Sequence, residues 1–233
     1  MRYGQRRVFD ALDVDVQGGS LRAIVGPNGA GKSSLLRVLA GVQTPSAGSV
    51  TRAKRISLIS PSSRLPADVT PRELAGYGPA LHRPWWRLGV PDEERALVDA
   101  ALARVGLSDR ADDAAADLSD GEVQRAWLAA ALATSPSAVL IDEPTTHLDL
   151  RYQIEVMTML CELARGGIAI VTAIHDLTLA ARFADSISLL AAGFIVTGAP
   201  EAVLDATALT RAFGVRITTH RDPIGGFIVC LAG

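Results

Sequence analysis

Short apolar runs alternate along the chain with segments whose apolar residues recur at helical spacing. The short runs are typical of buried parallel strands, and they are Leu21–Val25, Arg55–Ile59, Ala138–Ile141 and Gly167–Ile174. The segments with helical spacing are Ser33–Ala40, Pro91–Val105, Glu122–Thr134 and Gln153–Ala164. This alternation predicts an α/β fold built on a mostly parallel sheet.

A long stretch between the second and third runs contains no clear strand pattern. Near its start, Thr70 can cap a helix, Pro71 suits the first helical position, and Glu73 completes a capping box. The sequence therefore predicts one domain in which a helical insert interrupts the sheet. The expected core comprises residues 1–64 and 136–233, and the expected helical sub-domain comprises residues 65–135.

Composition narrows the class of protein. The chain has 233 residues, of which 48% are hydrophobic and 21% charged, so it can bury a core. Its 23 basic and 25 acidic residues nearly cancel, which argues against a dedicated nucleic-acid-binding protein. Cys161 and Cys230 lack the spacing of a metal site, and no apolar run reaches the roughly 18 residues of a membrane span. We therefore expect a cytosolic protein with inert thiols and no nucleic acid among its partners.

The strongest motif lies between the first predicted strand and the first predicted helix. It is Gly26-Pro27-Asn28-Gly29-Ala30-Gly31-Lys32-Ser33, which matches the phosphate-binding pattern G-x-x-x-x-G-K-[ST] in the required setting. Glycines let backbone N–H groups curve around a phosphate, and the helix dipole adds positive charge at Ser33 and Ser34. Lys32 would contact the β- and γ-phosphates of a nucleotide, and the Ser33 hydroxyl would bind Mg²⁺.

Two adjacent carboxylates, Asp142 and Glu143, end the third apolar run. Ligands of parallel sheets bind at the carboxyl ends of the strands, so both side chains are expected near the phosphate loop. Asp142 would hold Mg²⁺, and Glu143 would accept a hydrogen bond from an attacking water. Alone, such a pair more often begins a solvated loop; the phosphate motif makes the site the favoured interpretation.

Two further segments are candidate phosphate contacts once the phosphate loop is recognised. His175 ends the fourth run, and it could bond a γ-phosphate and the attacking water or be an ordinary strand-end histidine. Ser119 and Glu122 form a capping box at the start of a helix. The same helix N-terminus, with Ser119 and the backbone of Gly121, could also face a phosphate, which need not be bound by its own chain.

Together these segments resemble the ATP-binding subunits of ABC transporters over nearly the whole chain. Gly26–Ser33 is similar to the family's Walker A loop, Leu118–Glu122 (LSDGE) to its LSGGQ signature, and Val139–Glu143 to Walker B with its catalytic glutamate. Thr146–Asp149 is similar to the D-loop, and His175 to the switch histidine. The resemblance implies a P-loop ATPase cassette with a mostly parallel sheet, a small N-terminal antiparallel β part and a helical insert.

The resemblance also implies a head-to-tail homodimer with ATP between the subunits. Each ATP would lie between the Walker loops of one subunit and the Ser119 segment of the other, and Asp149 would link the two sites. The implied catalytic residues are Glu143, His175 and Lys32, and the implied Mg²⁺ ligands are Ser33 and Asp142. The implied nucleotide contacts are Tyr3, Gly26, Pro27, Asn28, Gly29, Ala30, Gly31, Lys32, Ser33, Ser34, Ser119, Gly121, Glu122 and Asp149.

Within the family, the chain looks most like subunits that power the uptake of iron-siderophore, haem or cobalamin. The segments that carry this likeness are 70–78 (TPRELAGYG), 124–127 (QRAW), 142–150 (DEPTTHLDL), 213–215 and 222–223. The resemblance implies ATP hydrolysis coupled to import at the cytoplasmic face of a bacterial membrane. Its implied partners are permease subunits docked on the helical insert and, indirectly, a solute-binding protein. Tyr77, Trp85 and Trp86 are candidate permease contacts, or else pack locally on the insert.

Two features depart from the family's pattern. The family has a glutamine after the second strand that touches Mg²⁺ and relays nucleotide state to the membrane partner, and here Pro61 takes its position. A neighbouring hydroxyl, from Ser60, Ser62 or Ser63, would have to substitute. The family also has a strand before the aromatic that stacks on adenine. Tyr3 is that aromatic here, so either the first strand is missing or the sequence begins late, and the stacking rests on a chain end.

Two other functions remain open on the sequence. One is a soluble ABC-type ATPase acting in assembly, translation or repair. Translation-type members carry two cassettes and repair-type members a long coiled coil, whereas this chain shows one cassette and no heptads. The other is a weakly hydrolysing regulatory cassette, suggested by Pro61 and the short N-terminus. The intact Lys32, Asp142, Glu143 and His175 argue against it.

Overall fold

The computed structural model describes residues 2–3, 6–7, 12–60, 65–81, 89–191, 194–221 and 227–231. Its strands are β1 (Arg2–Tyr3), β2 (Arg6–Arg7), β3 (Leu21–Val25), β4 (Ile56–Ile59), β5 (Ala138–Asp142), β6 (Ala169–Ala173), β7 (Ser186–Ala191), β8 (Phe194–Gly198), β9 (Ile217–Arg221) and β10 (Phe227–Leu231). Its helices are α1 (Lys32–Ala40), α2 (Pro71–Ala80), α3 (Asp92–Arg104), α4 (Asp120–Leu132), α5 (Leu150–Arg165), α6 (Leu177–Phe183), α7 (Pro200–Val203) and α8 (Ala206–Phe213).

A six-stranded sheet forms the centre, in the order β4-β5-β6-β3-β7-β8. All neighbouring strands in it run parallel except β8, which pairs antiparallel with β7 at one edge. Two antiparallel pairs stand apart from it, β1 with β2 and β9 with β10. The expected α/β fold with a mostly parallel sheet is confirmed.

The core lies on both faces of this sheet, because successive side chains of a strand point to opposite sides. On β3, Ala23 and Val25 pack on the face covered by α5, whereas Ile24 packs on the face covered by α1. Burial on both faces explains why the central strands are short and almost wholly apolar.

The segment 65–135, called the helical insert below, contains only helices among its described residues 65–81 and 89–135. Its α2 packs against both α3 and α4. Two of these helices begin with the same capping box: Thr70 with Glu73 at α2, and Ser119 with Glu122 at α4. Each box satisfies backbone N–H groups that the first helical turn leaves without partners, so both helix starts are fixed locally.

No helix in the described part of the chain is long and apolar enough to cross a membrane. Some sequence-based expectations fall on residues outside that part. These are Pro61, Ser62, Ser63, Trp85, Trp86, Asp222 and Pro223. Tyr3 lies on β1, but its side chain is also outside the description. Ser60 follows β4 and is exposed.

Candidate nucleotide site

The glycine-rich loop connects β3 to α1. Gly26 lies so close to β7 that a Cβ there would stand 2.0 Å from the carbonyl oxygen of Leu190. Gly31 takes a left-handed conformation, with φ 103°, immediately before the helix begins at Lys32. Glycine is therefore required at both ends of the curve, and the loop leads directly into a helix N-terminus whose first turn contains no acidic residue.

The side chain of Lys32 lies inside this loop and is only 6% exposed. Its Nζ donates to the carbonyl oxygens of Gly26 at 2.8 Å and Pro27 at 3.3 Å. Burial lowers the pKa of Lys32, and the nearby negative charges of Glu143 and Asp142 oppose that shift. The ammonium group is thus held in the curve of the backbone, where a phosphate would meet it.

The ends of β5 and β6 bring the acidic residues and the histidine together. The two strands pair in register, with Asp142 opposite Ala173, and the backbone N–H of Glu143 donates to the carbonyl of Ala173 at 3.0 Å. Glu143 itself has a φ of 58°, the left-handed region. This bend places Glu143 Oε1 2.5 Å from Nε2 of His175, which follows β6.

The other oxygen of Glu143 is also held. The hydroxyl of Thr146 donates to Glu143 Oε2 at 3.1 Å. Burial pushes the pKa of Glu143 upward, but the contacts with His175 and Thr146 and the charge of Lys32 outweigh burial and lower it below its ordinary value. The carboxylate is therefore ionised at neutral pH, which is the state that can accept a hydrogen bond from water.

Asp142 provides a test of whether Mg²⁺ fits this site. Its Oδ1 is buried and has no hydrogen-bond partner among the described residues. An unsatisfied buried carboxylate oxygen is costly unless something binds it. Mg²⁺ is usually held by one or two protein oxygens together with phosphates and water, and Ser33 lies in the first turn of α1. The donor set therefore fits Mg²⁺.

The Ser119 segment is held by contacts within the helical insert. Both the backbone N–H and the hydroxyl of Ser119 donate to Glu122 Oε2, each at 2.8 Å. Gly121 is buried, and a Cβ there would lie 2.7 Å from the ring of Tyr152 on α5. Asp149 caps α5, because its Oδ1 accepts from the Tyr152 N–H at 3.0 Å. No described hydrogen bond joins Ser119 or Asp149 to the phosphate loop.

The structure thus brings four of the predicted residues together: Lys32, Asp142, Glu143 and His175. It leaves the Ser119 segment as a separate helix tip. In the sequence, Thr146 belongs only to the segment that is similar to the D-loop, with no predicted bond to Glu143, and Arg110 has no predicted role. The position of Thr146, three residues after Glu143 in a tight turn, is a local signal that could have revealed its bond. Arg110 lies 12 residues before its partner Glu122, so no local pattern connects them.

The protein family that this geometry suggests is also found by comparison. The family model described as ABC transporter matches residues 9–146, more than half of the chain.

The chain belongs to the ABC transporter family.

Relatives of this ABC family member include several import proteins. It is 36% identical to the ferric enterobactin transport ATP-binding protein FepC of Escherichia coli, over 96% of this chain and 88% of that one. It is 37% identical to the hemin import ATP-binding protein HmuV of Nocardia farcinica, over 95% and 81%. It is 37% identical to the cobalamin import ATP-binding protein BtuD of Halobacterium salinarum. That match covers 95% of this chain but only 59% of the longer relative.

Solved structures support the same family. A metal-chelate type ABC transporter in an inward-facing conformation matches with a TM-score of 0.86 and 25% identity, over 96% of this chain and 90% of that one. The ADP conformation of the ATP-binding cassette MJ1267 matches in fold with a TM-score of 0.80 and 20% identity, over 91% and 94%. The expected resemblance is confirmed: the chain is an ATP-binding ABC ATPase.

Proposed function

We propose that this ABC ATPase energises an importer of a metal chelate of the iron-siderophore, haem or cobalamin type. Support comes from relatives named for ferric enterobactin, hemin and cobalamin import. The observation that carries hydrolysis is the ionised Glu143 carboxylate, held beside His175 at the same sheet edge as the buried Lys32. The work of the subunit would be done at the cytoplasmic face of the membrane.

Each residue at the sheet edge has a distinct task in this proposal. Lys32 and the backbone N–H groups at the start of α1 bind the β- and γ-phosphates. Ser33 and Asp142 would hold Mg²⁺, which supplies neutralising charge to the phosphates. Glu143 accepts a hydrogen bond from the water that attacks the γ-phosphorus, and His175 positions Glu143 and the phosphate. Thr146 keeps the Glu143 carboxylate in place.

We further propose that two copies close head to tail over two ATP molecules, each completed by the Ser119 tip of the other copy. The tip is a capped helix start that carries the partial positive charge of a helix N-terminus. Within its own chain it bonds to Glu122 and not to the phosphate loop. A second copy would supply the phosphate that this helix start can bind.

A groove between the helical insert and the edge strand β4 is suited to the permease. Its volume is about 540 Å³, and apolar side chains line it, including Leu58, Leu65, Leu74 and Trp127. At its rim Tyr77 is 59% exposed and Leu81 is 84% exposed. An amphipathic helix from a membrane partner would bury its apolar face in such a groove. The cargo would then be selected by the permease and a solute-binding protein.

The Glu143→Gln variant tests the proposed mechanism. We expect ATP turnover to fall by at least about 10²-fold, because the neutral amide lacks the negative charge and basicity with which a carboxylate polarises the attacking water. ATP binding should persist, since Lys32 and the loop are unchanged, and the chain should form a stable ATP-bound dimer. Phosphate release and sedimentation with and without ATP measure the two effects.

A matched control is Glu155→Gln, which removes an exposed glutamate that pairs with Arg151 on α5. Turnover by the control should stay near that of the unmodified chain. A Glu143→Gln chain that still hydrolyses ATP at the original rate would contradict the assigned role. Import itself is tested by copurifying the chain with its permease and measuring ATP-dependent uptake of ferric siderophore, haem and cobalamin into vesicles. Failure with all three would contradict the proposed cargo class.

A further inference from the structure

Arg110 ties together the residues on both sides of the Ser119 tip. It ends a short 3-10 helix, Ser108–Arg110, and is 37% exposed. Its Nη1 donates to Glu122 Oε1 at 3.1 Å, its Nη2 donates to the carbonyl oxygen of Asp117 at 2.8 Å, and its Nε donates to Asp113 at 2.6 Å. A single planar guanidinium therefore fixes the chain two residues before Ser119 and three residues after it.

The capping box does not need such an arginine in order to form. At α2, Thr70 and Glu73 make the same reciprocal bonds as Ser119 and Glu122 do at α4. Within the described part of the chain, Glu73 has no arginine partner. Glu122 differs because it is also more buried, with only 16% of its side chain exposed. The arginine at α4 therefore serves a purpose beyond starting the helix.

That purpose follows from charge. A helix N-terminus attracts an anion, but the carboxylate of Glu122 stands in the first turn of α4 and repels a phosphate that approaches the tip. Both of its oxygens are occupied: Oε2 accepts from the backbone N–H and hydroxyl of Ser119, and Oε1 accepts from Arg110. The bonds to Ser119 and the charge of Arg110 lower the pKa of Glu122, so the negative charge is permanent at neutral pH.

We propose that Arg110 is a positioning residue for nucleotide binding at the Ser119 tip. It neutralises Glu122 and holds that carboxylate in place, so that the Ser119 hydroxyl can leave Glu122 and donate to the γ-phosphate bound by a second copy. The inference rests on the proposed head-to-tail dimer. It makes the LSDGE tip and Arg110 one functional unit, in which the arginine balances the acidic residue.

The test is made in the Glu143→Gln chain, which is expected to dimerise on ATP. We expect Arg110→Gln to raise the ATP concentration needed for half-maximal dimerisation about tenfold, the loss expected for one charge-assisted hydrogen bond. Arg110→Lys keeps the charge but loses the forked geometry of the guanidinium, so the ATP concentration that it needs should lie between those of the parent and of Arg110→Gln. Arg95→Gln is the matched control, because Arg95 forms an exposed pair with Asp92 on α3, and it should have no effect.

Two further measurements separate positioning from damage to the fold. ATP binding to the monomer, measured with a fluorescent ATP analogue at protein concentrations too low for dimerisation, should be unchanged by Arg110→Gln. In a Glu122→Gln background, Arg110→Gln should raise the ATP concentration for half-maximal dimerisation by no more than about twofold, because the charge at position 122 that Arg110 balances is already gone. An arginine that acts on the dimer independently of Glu122 would show the same defect in both backgrounds, and one that only holds the fold together would also weaken ATP binding to the monomer.

Three results would overturn the inference: unchanged dimerisation of Arg110→Gln, a defect of equal size when residue 122 is neutral, or a parallel loss of monomer ATP binding. A different failure would concern the dimer itself. If the Glu143→Gln parent remains monomeric in saturating ATP and Mg²⁺, the proposed head-to-tail dimer is wrong, and the role of Arg110 falls with it.

Discussion

The sheet edge and the helical insert treat their polar residues in opposite ways. At the sheet edge, Asp142 has a buried oxygen with no partner among the described residues, and Glu143 takes a left-handed backbone conformation. In the helical insert, both capping boxes are complete, and Arg72 and Arg110 each pair with two carboxylates, as Arg72 does with Asp99 and Asp112. The first region is arranged to bind something, and the second is arranged to be stable.

The two regions would each supply half of the proposed nucleotide site. The sheet edge carries strain and an unsatisfied carboxylate oxygen. In the proposed function, nucleotide and Mg²⁺ bound by the same chain complete this region. In the helical insert, the capping boxes and the ion pairs of Arg72 and Arg110 form without a ligand, so the Ser119 tip would bind a second copy with little cost of ordering. Variants that disable one region at a time show whether the two regions are separable.

The largest effect should come from breaking each region in turn. Lys32→Ala should abolish ATP binding to the monomer, whereas Ser119→Ala should leave that binding intact and abolish turnover. Mixing the two inactive proteins should restore activity, up to about a quarter of the original. Half of the dimers formed at random are mixed, and each mixed dimer has one intact site out of two. Nucleotide binding and phosphate release measure the outcome.

The mixing ratio supplies a control, because activity should be highest at equal amounts and absent with either protein alone. A mixture that stays inactive at every ratio, while both proteins remain folded, would show that the two regions do not act in trans.

A second effect concerns the contact between the insert and α5. Gly121→Ala should lower the free energy of unfolding by about 2 kcal/mol, because the new Cβ would stand 2.7 Å from the Tyr152 ring. For a chain of this length we expect the melting temperature to fall by about 4–8 °C. In a Tyr152→Ala background the same change should cost much less, since the ring is gone. Equal costs in both backgrounds would contradict the packing explanation.

A third, smaller effect concerns the hydrogen bond between Thr146 and Glu143 at the sheet edge. Thr146→Val should reduce kcat about tenfold with little change in the KM for ATP, because Glu143 loses one hydrogen bond while the phosphate loop is untouched. Thr146→Ser, which keeps the hydroxyl, should restore most of the rate. A valine variant with unchanged kcat would mean that His175 alone positions Glu143.

The smallest effect is the pH dependence of stability in the insert. Bonds to Ser119 hold the pKa of Glu122 below its ordinary value of 4.5. A carboxylate with a lowered pKa in the folded state adds its full stability above that ordinary value, and the contribution is lost as pH falls through the folded pKa. Below about pH 4.5, the melting temperature of Glu122→Gln should therefore fall less steeply than that of the unmodified chain. The difference between the two falls should be no more than about 4 °C. Parallel curves for both proteins would contradict this contribution.

Much of the fold could be predicted because its signals are local. The strands β3, β5 and β6 are apolar runs buried on both faces. Each capping box is formed by residues that lie within four positions of one another in the sequence. The apolar pattern predicts the start of α5 three residues too late, because Asp149 acts as its cap from outside that pattern. The strands β8 and β9 carry mixed polar and apolar residues, which give no continuous run.

The candidate site divides in the same way. The phosphate loop and the acidic pair of β5 are continuous in sequence, so a motif reveals them. The contact between Glu143 and His175 joins residues 32 positions apart and depends on the register of β5 and β6. The requirement for glycine at position 121 depends on a ring 31 positions away. Only the assembled sheet and its helices bring these pairs within contact.

The position of Tyr152 has one more consequence. Its backbone N–H is bound by Asp149, at the end of the turn that begins with Glu143, and its ring lies against Gly121 beside the Ser119 tip. A shift in the turn after Walker B would therefore reach the Ser119 tip through the ring of Tyr152, at the surface proposed to contact a second copy. Through Tyr152, the nucleotide bound by one subunit would influence how that subunit's Ser119 tip contacts the nucleotide of the other subunit.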